Sequence, residues 1–193
     1  IQNRPGAGGA KAASYMANVA PKDGTVIAEI SPGTLTGTFL RDYKFDATKF
    51  EFIGSPAART YTYAVWHTAP FKTIEDLTKT ESTFGNTGKG SAGYVAPQFT
   101  NAVLGTKIKV ISGYKGGGAI NLAMERTEVQ GRANYYSGYT GVRPEWITDK
   151  KIRFLMVLGP RHPALPDVPH VRDLIKDAEG KAMYDFLDVD FSV

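Results

Sequence analysis

Three glycine-rich segments concentrate the chemistry available to this chain: residues 3–9 (NRPGAGG), 85–93 (GNTGKGSAG) and 114–118 (YKGGG). Each follows an apolar run and precedes a stretch with helical spacing. A loop at the start of a helix presents unpaired backbone N–H groups and the positive end of the helix dipole. Together these hold an anion without a charged side chain. A single such loop also reads as a plain turn, because glycine marks turns; three in one chain favour the binding of small anionic groups. None matches a nucleotide-binding pattern. Residues 4–11 (RPGAGGAK) lack the Gly-Lys-Ser/Thr of a P-loop and carry Lys11 where the dinucleotide fingerprint needs its third glycine. Before Gly88-Lys89-Gly90-Ser91, Thr83 stands where a P-loop needs its first glycine.

Other reactive side chains are sparse. The histidines His67, His162 and His170 do not fall at metal-ligand spacing, and His162 and His170 flank a proline-rich turn typical of a surface. Ser137, in Tyr136-Ser137-Gly138, does not sit in a Gly-x-Ser-x-Gly elbow. Glu75, Asp76 and Glu125 read as solvated helix faces. No catalytic residue, metal site or cofactor is therefore expected. The absence of cysteine excludes disulfides, thiolate metal sites and Cys nucleophiles. The 23 Lys and Arg against 19 Asp and Glu give a net charge of +4. These cations are scattered, with no run longer than Lys150-Lys151, so the dense stripe of a nucleic-acid groove is missing. No apolar stretch approaches a membrane span, and no signal peptide is visible.

Aromatic and basic residues supply further candidates. Tyr61 and Tyr63 read as core, whereas Tyr114, Tyr135, Tyr136 and Tyr139 follow strand ends near the loops and suit the lining of a pocket. Arg59 and Arg132 suit either a carboxylate clamp or the surface.

These residues need a frame to hold them. Hydrophobic side chains make up 42% of the 193 residues, enough for a packed core, in one large domain or two small ones. Helical spacing recurs at Ala12, Tyr15, Met16 and Val19, over residues 34–40, from Thr73 with Asp76 in a capping box, over 91–104 despite Pro97, at Ile120, Ala123 and Met124, over 144–148, and over 171–178. Strands are expected at 25–30, 52–55, 61–66, 82–84, 107–111, 128–133 and 152–158. The alternation of residues 188–193 (DVDFSV) predicts a strand just beginning, and residues 1–3 read as the tail of one, so both ends look cut. Alternating strands and helices predict an α/β fold of mixed, mostly parallel sheets with helices on both faces. Residues 66–158 form one lobe on this reading. Residues 1–65 with 159–193 form the other, which is incomplete. All three loops then fall at strand C-terminal ends, where α/β sheets bind ligands.

Several segments together resemble the solute receptors of tripartite tricarboxylate transporters, the Bug proteins. Residues 3–9, then Gly24-Thr25, resemble the family's N-x-P-G-A-G-G segment. Residues 70–77 resemble P-x-K-T-x-x-D-L, residues 84–91 the G-S-x-G-x-G-S loop, residues 110–118 V-P-Y-K-G-G, and residues 161–169 R-x-x-x-L-P-D-V-P. The resemblance covers almost the whole chain. It implies a type II-like, two-lobed periplasmic binding protein, not an enzyme. Such a receptor takes a small organic carboxylate between its lobes as a monomer and delivers it to a membrane permease. The contact residues it implies are Ser31 and Thr34 in the first lobe. In the second they are Asn86, Thr87, Gly90, Ser91, Tyr114, Gly117, Gly118, Asn134, Tyr135, Tyr136 and Ser137. Where the family usually has an Asp after the strand at 128–131, this chain has Arg132, with Asn134-Tyr135-Tyr136 following, which suits a bulkier or aromatic acid. The alternatives are a sensor of the same fold and, further off, an enzyme acting on a small anion.

Overall fold

The computed structural model describes residues 1–40, 42–55 and 59–192. Its centre is a five-stranded sheet in the order β3-β2-β4-β1-β5, formed by β1 (Tyr61–Trp66), β2 (Ser82–Asn86), β3 (Ile108–Ser112), β4 (Gly131–Tyr135) and β5 (Ile152–Leu158). β2 pairs in parallel with β3 and with β4, whereas β1 runs antiparallel to both β4 and β5. Four strands thus point one way and β1 the other. The C-terminal ends of β2, β3 and β4 share an edge with Tyr61 at the start of β1.

The β1 sequence is apolar throughout because both of its faces are covered, as central strands of such sheets require. Tyr61, Tyr63 and Val65 enter one core with Phe84, Ala96, Phe99 and Leu155. Ala64 and Trp66 enter a second, with Met124, Tyr139 and Trp146 on the opposite face. The first core is covered by α3 (Ile74–Lys79), α4 (Ala92–Leu104), α8 (Val171–Leu174) and α9 (Ala178–Ser192), the second by α5 (Gly117–Glu125), α6 (Ser137–Thr140) and α7 (Glu145–Thr148). α1 (Ala10–Asn18) and α2 (Pro32–Leu40) complete the helices among the described residues. At α3, Asp76 accepts from the amides of Lys72 at 2.8 Å and Thr73 at 3.0 Å, as the capping box predicts, and these two bonds hold its carboxyl below the ordinary carboxylate range.

Five expectations are corrected. Residues 25–30 and 52–55 form no strand, since neither finds a neighbour for its backbone, and Ile27, Phe52 and Ile53 are exposed. Residues 188–192 are helical: Gly180, Tyr184 and Leu187 bury one face of α9 at helical spacing, and that longer period prevails over the local alternation. The helix expected at 171–178 divides in two. Ile175 is extended, and Asp177 Oδ1 accepts the Gly180 amide at 2.7 Å to start α9 afresh. His170 is buried, not on the surface. Its Nε2 donates to the Gly159 carbonyl at 2.8 Å, and its Nδ1 accepts the Arg172 amide at 3.3 Å, capping α8.

Candidate functional site

The three glycine loops meet. A crevice of about 390 Å³ is lined by Pro5, Gly6, Gly8 and Gly9 from the first, Thr87 from the second, and Gly113, Tyr114, Lys115 and Gly116 around the third. Its size falls within the range of small-molecule sites. Backbone geometry brings the loops this close. Gly8 has φ +66, and a Cβ there would collide with the Ser91 amide nitrogen and the Gly90 carbonyl carbon. A Cβ on Gly90 would lie 2.7 Å from the Ala7 carbonyl oxygen. The first and second loops therefore touch main chain to main chain, which only glycine at these positions permits.

β2 delivers the second loop to the start of α4. Ser91 occupies the N-cap position of that helix without a side-chain cap: its hydroxyl donates back to the Gly88 carbonyl at 2.8 Å and its amide to the same oxygen at 3.0 Å. The amides of Ala92 and Gly93, in the first turn, have no acceptor among the described residues. Beneath that turn lies Asn86, 2% exposed, whose side-chain oxygen and nitrogen both lack a partner among the described residues. A buried amide without hydrogen bonds is costly. Close by, the Tyr61 hydroxyl donates to the Ala133 carbonyl at 2.9 Å, and burial pushes its ionisation well up, so it stays a neutral donor. Gly93 gives access: a Cβ there would press on the Ala133 oxygen, the Tyr61 hydroxyl and Asn86 Cβ at 3.3 to 3.5 Å.

β3 delivers the third loop to the start of α5. Gly116, at φ +133, is its N-cap, and the amides of Gly117, Gly118 and Ala119 find no acceptor among the described residues. The Tyr114 amide donates to the Asn86 carbonyl at 3.2 Å, joining the second loop to the third. Arg132 of β4 reaches up to this helix from the sheet, Nη1 donating to Asn121 Oδ1 at 2.7 Å and to the Gly117 carbonyl at 3.0 Å. The clamp candidates thus differ. Arg132 is buried, whereas Arg59 is half-exposed, lies 3.7 Å from Glu29 and stands 4.5 Å above the Tyr135 ring.

The residues singled out in the sequence fall into four groups. Thr87 and Tyr114 line the crevice itself. Thr34, Gly90 and Ser91 stand behind the first loop, whose Gly8 lines the crevice, while Gly117 and Gly118 follow the lining Gly116 into α5: Thr34 is buried with its hydroxyl donating to the Gly8 carbonyl at 3.2 Å, and Ser31 supports it by accepting the Thr34 amide at 2.9 Å. Asn86 lies beneath the first turn of α4. The remaining residues form a row leading away along the end of β4. Asn134 accepts from Thr62 through its carbonyl at 2.9 Å, the Tyr135 ring meets Tyr61 edge-on at 5.0 Å, and Tyr136 stacks near His162 at 4.3 Å. Ser137 is exposed at the start of α6. Sequence reasoning named the loops but passed over Gly6, Gly8, Gly9 and Gly116 as contacts, although their membership of the loops was the available signal. Tyr43, whose hydroxyl would lie 2.8 Å from a Cβ on Gly90, gave no signal. Among the described residues, no group of acidic or histidine side chains is placed to hold a metal ion. No helix among them is long and apolar enough to cross a membrane.

An α/β sheet whose glycine loops converge at the strand ends has the fold of the two-lobed periplasmic binding proteins. More narrowly, the chain belongs to the tripartite tricarboxylate transporter receptor family, whose model matches residues 1–188. Solved structures agree on the fold. The chain is similar to Rpa4515 of R. palustris, solved with adipate, at 21% identity and a TM-score of 0.76, over 98% of this chain and 70% of that one. It is similar to the periplasmic binding protein BugD at 21% identity and 0.76, over 99% and 70%. To MatC (Rpa3494) from Rhodopseudomonas palustris, with bound malate, the figures are 19% and 0.69, over 97% and 61%. No curated protein matches the chain.

Proposed function

We propose that this protein is a periplasmic receptor that captures a small organic carboxylate and delivers it to the membrane permease of a tripartite tricarboxylate transporter. The observation that carries this reading is the crevice lined by all three glycine loops. Family membership supports the receptor role, and the adipate and malate held by Rpa4515 and MatC support a carboxylate as the ligand. The carboxylate sits against the unpaired amides at the starts of α4 and α5, where the helix dipoles favour negative charge. Thr87, Tyr114, Gly117 and Gly118 contact it from the third loop and its neighbour. Gly90 and Ser91, with Ser31 and Thr34 behind the first loop, close the walls. Asn86 donates its unpaired amide. Residues 134–137 sort ligands by bulk at the far end. The five-stranded sheet acts as one lobe, together with the helices that cover it, including α8 and α9 from residues 159–193, and it closes on the ligand against a second lobe to which the segment carrying α1 and α2 belongs.

Isothermal titration calorimetry of the intact protein against mono- and dicarboxylates, aliphatic and aromatic, tests the reading. Saturable binding of at least one acid is expected, with no binding of the corresponding neutral diamide. Heat from none of the acids would dispose of the proposal.

A further inference from the structure

Arg132 is a buried cation without a counter-charge. It is 7% exposed, yet takes part in no ion pair among the described residues. Its two acceptors, the Gly117 carbonyl and Asn121 Oδ1, are both neutral, and both use Nη1. Nε is buried with no partner, and Nη2 has no acceptor among the described residues. A guanidinium offers five donors in a fixed fork, so most of this one is unused. Its position adds to the imbalance. It lies against the first turn of α5, within 3.3 to 3.4 Å of where a Gly117 Cβ would be, and so near the positive end of a helix dipole. Like charges brought together away from water call for an anion. Asn121 and Tyr139 cannot supply one. Asn121 is neutral, and burial raises the Tyr139 hydroxyl to about 12 despite the opposing pull of Arg132.

The alignment of the strands links this cation to the crevice. Phe84 of β2 is in register with Gly131 of β4, so Gly85 and Arg132 are neighbours on one face of the sheet. A Cβ on Gly85 would meet Ile120 at 2.8 Å and, at 3.3 Å each, Val129 and the ring of Tyr114, which lines the crevice. We infer that Arg132 and the first turn of α5 form a subsite for a second negative group on the ligand, making Arg132 the residue that selects a dianion over its singly charged analogue. This rests on the carboxylate-receptor reading above and adds to it the side chain that counts the ligand's charges.

The test is calorimetry of the intact protein with succinate, glutarate, adipate and terephthalate, each beside its own monoamide. In the wild-type protein the diacid is expected to bind on the order of 10- to 100-fold more tightly than its monoamide. Arg132→Gln should remove most of that preference by weakening the diacid while leaving the monoamide within about 2-fold. Arg132→Lys, which keeps the charge, should retain a preference. Equal binding of diacid and monoamide by the wild type overturns the inference while the receptor reading stands. So does a preference that survives Arg132→Gln. Should Arg132→Gln fail to fold, Arg132→Lys decides: equal losses for diacid and monoamide show that Arg132 only braces α5, and overturn it. Binding of no acid by the wild type removes the receptor reading, and the subsite with it.

Discussion

The crevice has two strand-to-helix junctions, and they are built differently from the same parts. Both leave adjacent parallel strands, β2 and β3, through glycine-rich loops, and both end in helix starts with unpaired amides. At α4 the junction is closed. The first loop lies on it, Gly8 against Gly90 and Ser91, the Ser91 hydroxyl turns back to the Gly88 carbonyl, and the group beneath without a partner among the described residues is the neutral amide of Asn86. At α5 the junction is open. Side chains added at Gly113, Gly116 or Gly118 would meet nothing within 4 Å, and the group beneath is the cation Arg132, hydrogen-bonded through Nη1 but without an ion-pair partner among the described residues. The device is one of backbone amides in both. What differs is its backing: shape at α4, charge at α5.

Gly8→Val breaks the closed side and should have the largest effect. The new Cβ meets main chain, which cannot rotate away, and a β-branched residue must adopt φ +66. The combined strain and overpacking cost about 2–4 kcal/mol. We expect a thermal unfolding midpoint lowered by several degrees and loss of carboxylate binding on the order of 100-fold. An unchanged midpoint would show that the first loop does not rest on α4 in solution.

Gly117→Val acts on the open side and should separate stability from binding. The atoms nearest to its Cβ would be the end of the Arg132 side chain, at 3.3 Å for Nη1, which can shift, and valine suits a helix at least as well as glycine. The unfolding midpoint should therefore hold while affinity falls on the order of 10-fold or more, because the side chain occupies the approach to the α5 amides. The two glycine variants give opposite patterns: one loses fold and ligand together, the other ligand alone. If both behave alike in melting and in calorimetry, the contrast between a closed and an open junction is wrong.

Asn86→Leu sharpens the closed side further. Replacing a buried, unpaired amide by an apolar group of similar shape is neutral or stabilising, so stability should hold or rise by about 1 kcal/mol. Binding should fall about 10-fold if the amide reaches the ligand. A loss of stability measured by urea unfolding would show that Asn86 has a structural partner instead.

The parts of this picture that could be read from the sequence are those written in local pattern. The loops declared themselves through glycine. β1 and β5 did so through apolar runs that only a doubly covered strand needs, and α3 through Thr73 and Asp76. The failures have physical causes. Residues 25–30 and 52–55 carry strand-like composition, but a strand exists only with a neighbour, and composition does not state whether one is present. Residues 188–192 alternate over too short a window to compete with the helical burial that begins at Gly180. Within the site, the unpaired state of Asn86 and Arg132 was illegible, because burial and missing partners belong to the packed molecule. Sequence could place Arg132 on a strand. It could not say that this strand is central, or that α5 lies above it.

Lys89 gives the smallest effect and the sharpest control. It lies in the second loop between Gly88 and Gly90, where a nucleotide-binding loop would place a lysine on a phosphate. Here the side chain is exposed, and an exposed charge is screened by water and salt. If backbone amides and the group beneath each junction hold the ligand, Lys89→Ala should change affinity by no more than about 2-fold, and that small change should vanish as ionic strength rises. Calorimetry at low and high salt measures both. A loss near 100-fold at Lys89 beside no loss at Gly117 would mean that a side-chain charge, not the main chain, grips the ligand. The closed junction would then be the electrostatic one, and the assignment of shape to α4 and charge to α5 would have to be exchanged.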